Sequence, residues 1–344
     1  MRPDTDETKC PHTDIGRRKC GEVPFRRMAR NLLLTSYVLV PPRASVMSLP
    51  RQVLPETTYL ITRRCAQRQF LLRPDRKVNQ IFQFCLAHAS ERFDIRIHCH
   101  GVLSNHYHIV LTDPRGVLPE FMHWLNEYVA KCVNAHLGRW ESFWAPGSYS
   151  SVRLLDRDDV VAKMVYVYTN PVEARLVARA RDWPGARSLP EDLAKPAVRI
   201  ERPRGFFRER GVVPDHAYLR LTVPEALDGT VCDAVELLER AVRDRKREIA
   251  KAVRAEGRRF VGRRRVLRQS PFGRPESRES RRGLNPRVAA RDKWRRIEAL
   301  RRLKAFLAAY RQARHRYVDG ETSVLFPVGT YWLRVRLGVL CAGP

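Results

Sequence analysis

The chain has 344 residues, with 65 lysines and arginines against 37 aspartates and glutamates and a formal net charge of +28. The usual partner of such a polycation is nucleic acid, where each neutralised phosphate releases counterions. No apolar run reaches the roughly 18 residues that a membrane-spanning helix needs, and the eight cysteines are scattered without a Cys-x-x-Cys pair, which argues for a reducing cytoplasm and against a disulfide framework.

A chain of this length suggests two or three domains. Residues 1–50 read as a basic N-terminal extension without clear periodicity, broken by Pro41-Pro42. The spacing of Cys10, His12 and Cys20 fits no compact zinc finger. Residues Asn31 to Val40 are moderately apolar but basic-flanked, and do not read as a signal peptide.

From residue 51 to 190 the pattern is that of a single α+β domain. Thr57 to Thr62 is rich in β-formers and predicts a strand. Val78, Ile81, Phe82, Cys85, Leu86 and Phe93 recur at helical spacing, predicting an amphipathic helix from Arg76 to Phe93. Asp94 to Val102 predicts a strand, Leu103-Ser104-Asn105 a three-residue turn, and His106 to Leu111 the return strand. A second helix is expected over Leu118–His136, and a strand over Tyr149–Leu155. A third helix is capped by Asp156, carries Asp158 and Asp159 in its first turn, and stops before Pro171. The order matches a ferredoxin-like antiparallel sheet with helices on one face, plus a further helix.

Residues 191–230, punctuated by prolines, read as a linker. Residues 231–344 read as a basic, mostly α-helical accessory region. Within it, helices are expected over Val231–Ala255 and Val288–Tyr317, an arginine-rich segment lies between them, and short strands follow at Val324–Phe326 and Tyr331–Val335. The two long helices fit either an accessory DNA-binding unit or a cap on the first domain.

Residues two apart on a strand share a face, so His106 and His108 project side by side and Tyr107 points away. Two neutral imidazoles so spaced can hold one metal ion; alone, they are equally a half-solvated polar face. A three-residue turn would put His98 and His100 on that face too, as added ligands, DNA contacts or plain polar positions. On the third helix Lys163, Tyr166 and Asn170 share a face. A tyrosine has an ordinary pKa near 10 and needs a metal and a nearby cation to act as a nucleophile. Asn170 offers an oxygen to complete the coordination, and Lys163 can hold a phosphate. Arg63, Arg64 and Arg68, with Arg263 and Arg264, are the candidate DNA-binding cations. Trp144, with Trp140 and Phe143, is a candidate stacking platform for unpaired bases, the alternative for all three being core packing.

Asn105-His106-Tyr107-His108, followed by Tyr166-Val167-Tyr168-Thr169-Asn170-Pro171-Val172-Glu173-Ala174 and Arg181-Asp182-Trp183-Pro184, resembles the REP-associated tyrosine transposases. These are single-tyrosine HUH transposases of the insertion-sequence 200/605 type. The resemblance runs from about Leu54 to Ser188 and implies the HUH nuclease fold. It carries His106, His108 and Asn170 over as metal ligands for Mg²⁺ or Mn²⁺, and Tyr166 as the nucleophile. Two imidazoles favour Mn²⁺ on softness. The implied reaction cuts single-stranded DNA at hairpins formed by palindromic repeats, leaving a 5′-phosphotyrosine and a 3′-OH that later rejoins strands. Such a protein would work in the cytoplasm at the nucleoid, and relatives often act as homodimers. Two departures are mild: tyrosine stands between the histidines where an aliphatic residue is usual, and Ser104 where proline is common.

Overall fold

The computed structural model describes residues 50–277 and 286–343, so the expected N-terminal extension and its Cys10, His12, Cys20 set lie outside the described residues. Four strands run antiparallel: β1 (Thr57–Arg64), β2 (Arg96–Leu103), β3 (His106–Asp113) and β4 (Ser150–Leu154). A two-residue strand, β7 (Val288–Ala289), lies parallel to β4, giving the order β2-β3-β1-β4-β7.

Both faces of this sheet are covered. Tyr59, Ile61, Tyr107, Ile109 and Leu111 point to one face and pack on α1 (Arg76–Phe93) and α2 (Leu118–Leu137). Leu60, Val110 and Val152 point to the other, under α3 (Arg157–Glu173) and α4 (Val231–Ala255). The third helix therefore lies across the face that the first two leave open. Strands buried on both sides lose the polar alternation of a one-sided sheet.

Local chemistry sets the helix ends. The Asp75 carboxylate accepts from Val78 N to start α1, and Asp94 closes it at φ 55°. Asp113 accepts from Val117 N and Leu118 N to start α2. Asp156 stands at the N-cap of α3 with extended backbone, but its carboxylate meets Arg295 and makes no cap bond. The helix also does not stop before Pro171; it continues to Glu173 and ends where Arg175 turns left-handed at φ 58°.

The β2–β3 turn is tighter than expected. Leu103 pairs with His106, and Gly101 with His108, across a two-residue turn at Ser104-Asn105. That shifts the register by one and leaves His98 and His100 off the His106/His108 pair. Next to the bulge between Ile97 and Cys99, His98 donates from Nδ1 to Thr222 O at 2.8 Å and accepts at Nε2 from Thr112 Oγ1 at 2.8 Å. Both its nitrogens are used in packing the fold.

The outer edge of β2 is covered by residues 186–188, through Val102 N to Ala186 O and Ser188 N to His100 O. Trp183 anchors this strip, fully buried, its indole N–H donating to Val102 O at 2.8 Å. A side chain at Gly185 would meet that indole nitrogen at 2.4 Å, so only glycine fits.

Residues 191–230, expected as a linker, instead fold onto the sheet domain. They carry a 3-10 turn (Pro190–Ala194) and a hairpin of β5 (Val198–Glu201) and β6 (His216–Leu219). Ile200, Ala217 and Leu219 join the core beside α1. Helix α4 is the cap alternative realised: Leu238 and Val242 pack against α3, and Ile249 and Val253 against Val172 and Ala180.

Helix α5 (Arg263–Leu267) buries only Val266, against Leu103, Val177 and Trp183. Helix α6 (Lys293–Val318) buries Phe306 and Ala313; of its other apolar residues Ile297, Leu303, Leu307 and Tyr310 are half-buried, while Leu300 and Trp294, the latter at 72%, are exposed. The expected strand at Tyr331–Val335 is instead helix α7 (Trp332–Leu337), while Phe326 bridges Cys341. Among the described residues, no helix is long and apolar enough to cross a membrane.

Candidate metal and tyrosine site

The β1–β3 register sets Thr62 opposite His108 and Arg64 opposite His106. The two imidazoles lie 4.9 Å apart between centroids, nearly perpendicular at 83°. Each is oriented from its Nδ1 side. His106 Nδ1–H donates to Asn105 Oδ1 at 2.6 Å, since an amide oxygen only accepts; its lone pair is then on Nε2. His108 Nδ1 meets Thr62 Oγ1 at 2.8 Å, and its Nε2 lies 3.4 Å from the Tyr166 hydroxyl. A phenol is the better proton donor to imidazole, which assigns the Nδ1–H tautomer to His108 as well. Burial, reinforced by the neighbouring His106 and Arg64, pushes the His108 pKa well below its ordinary value, so the ring is neutral and its Nε2 keeps an unprotonated lone pair.

Tyr166 comes from α3, with its ring 5.1 Å from that of His108. The helix approaches the strand closely here. A Cβ on Gly101 would lie 3.3 Å from the Val167 carbonyl oxygen. That carbonyl has no i+4 donor, because position 171 is proline. A missing side chain on the strand and a missing N–H in the helix thus meet at one point.

Asn170, one turn beyond Tyr166, is buried, and its Oδ1 is buried without a partner. Buried amide oxygens are normally satisfied. An orphaned carbonyl oxygen on the same helix face as Tyr166, with two Nε2 lone pairs on the strand beneath, is a donor set that fits a divalent cation. Among the described residues no group of three or more His, Cys, Asp or Glu side chains is placed to bind a metal, so the set depends on the asparagine oxygen. Lys163, one turn before Tyr166, is half-buried and makes no ion pair among the described residues.

The expected DNA-binding residues divide. Arg64 is on the histidine side of β1. Arg63 points to the other face, donating to Gly147 O at 2.8 Å and lying over the Trp144 ring at 5.8 Å. The Arg68 guanidinium reaches Ser277 O and Oγ. Arg263 and Arg264 are exposed on α5, beside the β2–β3 turn that carries His106. Trp144 is not a surface platform. It is buried, donates from its indole to Asn126 O at 2.9 Å, and packs edge-on to Tyr107; Phe143 is buried beside it. Trp140 is 94% exposed.

Three residues of the site escape a reading of the sequence by itself. Thr62 is identified only by the β1–β3 register, and Gly101 only by the approach of α3. Asn105 adjoins His106 in the chain, and its adjacency was the available signal.

No family model matches the chain, and no curated protein does. Among solved structures it is similar to a REP-associated tyrosine transposase bound to a REP hairpin, with 20% identity over 52% of this chain and 99% of that one, at a TM-score of 0.37. It is also similar to a protein of Deinococcus radiodurans R1 assigned as a transposase, with 17% identity over 34% of this chain and 93% of that one, at a TM-score of 0.27.

Proposed function

We propose that the protein is a DNA transposase that cleaves and rejoins single-stranded DNA through Tyr166. The observation that carries this reading is the 3.4 Å approach of the Tyr166 hydroxyl to His108 Nε2. A nucleophile and a metal-ligating nitrogen thereby face the same space, which a packed aromatic would not require.

In this reading His106, His108 and Asn170 hold Mg²⁺ or Mn²⁺, which when bound supplies polarisation of a phosphate oxygen and eases loss of the phenolic proton. Thr62 and Asn105 keep both imidazoles in the tautomer that presents Nε2. The Tyr166 oxygen attacks phosphorus, forming the Tyr–O–P bond and breaking the bond to the 3′ oxygen. One proton leaves the phenol and one joins the departing oxygen as the 3′-OH. Lys163 holds the phosphate between the two oxygens. The covalent link retains the diester's energy, so a 3′-OH can reverse the step without a further energy source.

The substrate class follows from the motif resemblance and the charge: single strands folded into hairpins at palindromic repeats, bound with phosphate contacts from Arg64, Arg263 and Arg264. In this reading the protein works where such DNA lies, at the nucleoid in the cytoplasm, and a homodimer is the assembly to test. Incubation with hairpin single strands and Mn²⁺ should yield a phosphotyrosine adduct at Tyr166 by mass spectrometry, lost in Tyr166→Phe. Salt-sensitive hairpin binding with no adduct under any divalent metal would leave a binding protein that does not cut.

A further inference from the structure

A cleft of about 1050 Å³ opens on the side of the sheet away from the histidines, between α2, the residues leading into β4 and the C-terminal helices. Its wall gathers Arg51, Arg63 and Arg287. None has a carboxylate partner among the described residues. They are held instead by backbone and rings. Arg51 donates to Tyr149 O and stacks 3.9 Å from the centre of the Tyr149 ring; Arg63 donates to Gly147 O. The cluster is partly dehydrated, since burial and the like charge of Arg51 pull Arg63 and Arg287 below the usual guanidinium range. The one carboxylate on the cleft wall whose partners are seen, Glu127, is engaged by Lys131 and His123.

Concentrating like charge away from water is costly unless an anion completes the site. Fixed guanidiniums suit phosphate, which they bind in a fork. The rest of the lining suits bases. Trp332 presents a half-exposed ring, and Tyr331 is buried with a hydroxyl that has no partner. Flat rings beside arginines take unpaired bases, because a base stacked in a duplex has no open face.

We infer that this cleft binds a run of unpaired nucleotides of the DNA strand, with phosphates on Arg51, Arg63 and Arg287 and a base on Trp332. It rests on the nucleic-acid reading above but not on cleavage. Arg63 and Arg64 are neighbours on β1 with side chains on opposite faces, so the end of that strand is where one DNA chain can pass from the histidine side to the cleft.

The test uses the full chain carrying Tyr166→Phe, without metal, so that covalent chemistry contributes nothing. Binding of labelled oligothymidylate is followed by fluorescence anisotropy across a salt series. Adding Arg51→Ala with Arg287→Ala should lower the log–log salt slope by about 1.4, at about 0.7 for each single-strand phosphate that is no longer neutralised. The lysine pair, Arg51→Lys with Arg287→Lys, should restore it. Trp332→Ala should weaken oligothymidylate about tenfold and leave a duplex of equal length unchanged. On the chain without cleft substitutions, 5-bromouracil strands should photocross-link to peptides containing Tyr149, Tyr331 or Trp332. An unchanged slope, an equal loss for duplex, or cross-links confined to the histidine side would overturn the inference. If the slope falls while the unsubstituted protein forms no adduct, the cleft stands and the strand-transfer reading fails.

Discussion

The Val167 carbonyl oxygen on α3 occupies the space that a side chain on Gly101 of β2 would need. That approach brings Tyr166, one residue earlier on the helix, to His108, the residue paired with Gly101. Gly101→Val should therefore lift α3 from the sheet. Overpacking of this kind costs about 1–3 kcal/mol, measurable by urea denaturation. Single-turnover adduct formation should fall more than tenfold, with Gly101→Ala between wild type and Val. A valine variant with full adduct rate would show that the approach does not set the tyrosine.

Thr62 and Asn105 touch the outer nitrogens of the two imidazoles. Partners of this kind typically govern 10- to 100-fold in metal affinity. Thr62→Val and Asn105→Ala should each weaken Mn²⁺ binding by about tenfold or more in calorimetric titration, while Thr62→Ser, which keeps the hydroxyl, should bind as wild type.

Stability should fall with acid before most carboxylates titrate. Burial lowers His98 and His100 to about 4 in the fold, against roughly 6.5 in the unfolded chain. The unfolded chain therefore takes up more protons between these values. The stabilisation is full above about pH 6.5 and is lost as the pH falls toward 4, at about 1.4 kcal/mol per unit for each histidine. Urea midpoints from pH 7 to 5 should show the decline, and His100→Leu should make it shallower by one histidine's share.

Arg263→Ala with Arg264→Ala should weaken hairpin binding and lower its salt slope, because both side chains are exposed beside the β2–β3 turn. The single-turnover step at saturating DNA should be largely intact. An unchanged slope would remove α5 from the binding surface.

Trp144→Ala should destabilise the fold by about 3–5 kcal/mol, as expected for a buried tryptophan, whereas the exposed Trp140→Ala should leave the unfolding midpoint within about 0.5 kcal/mol of wild type.

Much of the first 190 residues was legible because local signals agreed. Helix α1 begins and ends at the predicted residues, with Asp75 as its cap. The face shared by Lys163, Tyr166 and Asn170 needed only helical periodicity. What was hidden depended on partners distant in the chain. The register of β2 on β3 turned on one residue of turn length, which periodicity cannot resolve; that residue moved His100 off the face of the pair, and the bulge at His98 spends that ring on Thr112 and Thr222. Pro171 stays inside α3 because Gly101 accommodates the carbonyl it leaves unbonded. Trp144 reads as a stacking residue until its indole finds Asn126 O. In the C-terminal region, the apolar residues of α6 recur at helical spacing, yet Phe306 is buried while Trp294 and Leu300 face outward.

The sheet is sheathed at both margins: residues 186–188 bond to the flank of β2, and β7 bonds to β4. Unsheathed margins are where protein chains join by donating a strand to one another. Two copies of this molecule that joined sheets through β2 would first have to peel away the segment held by Trp183, giving up its bonds to Val102 and His100.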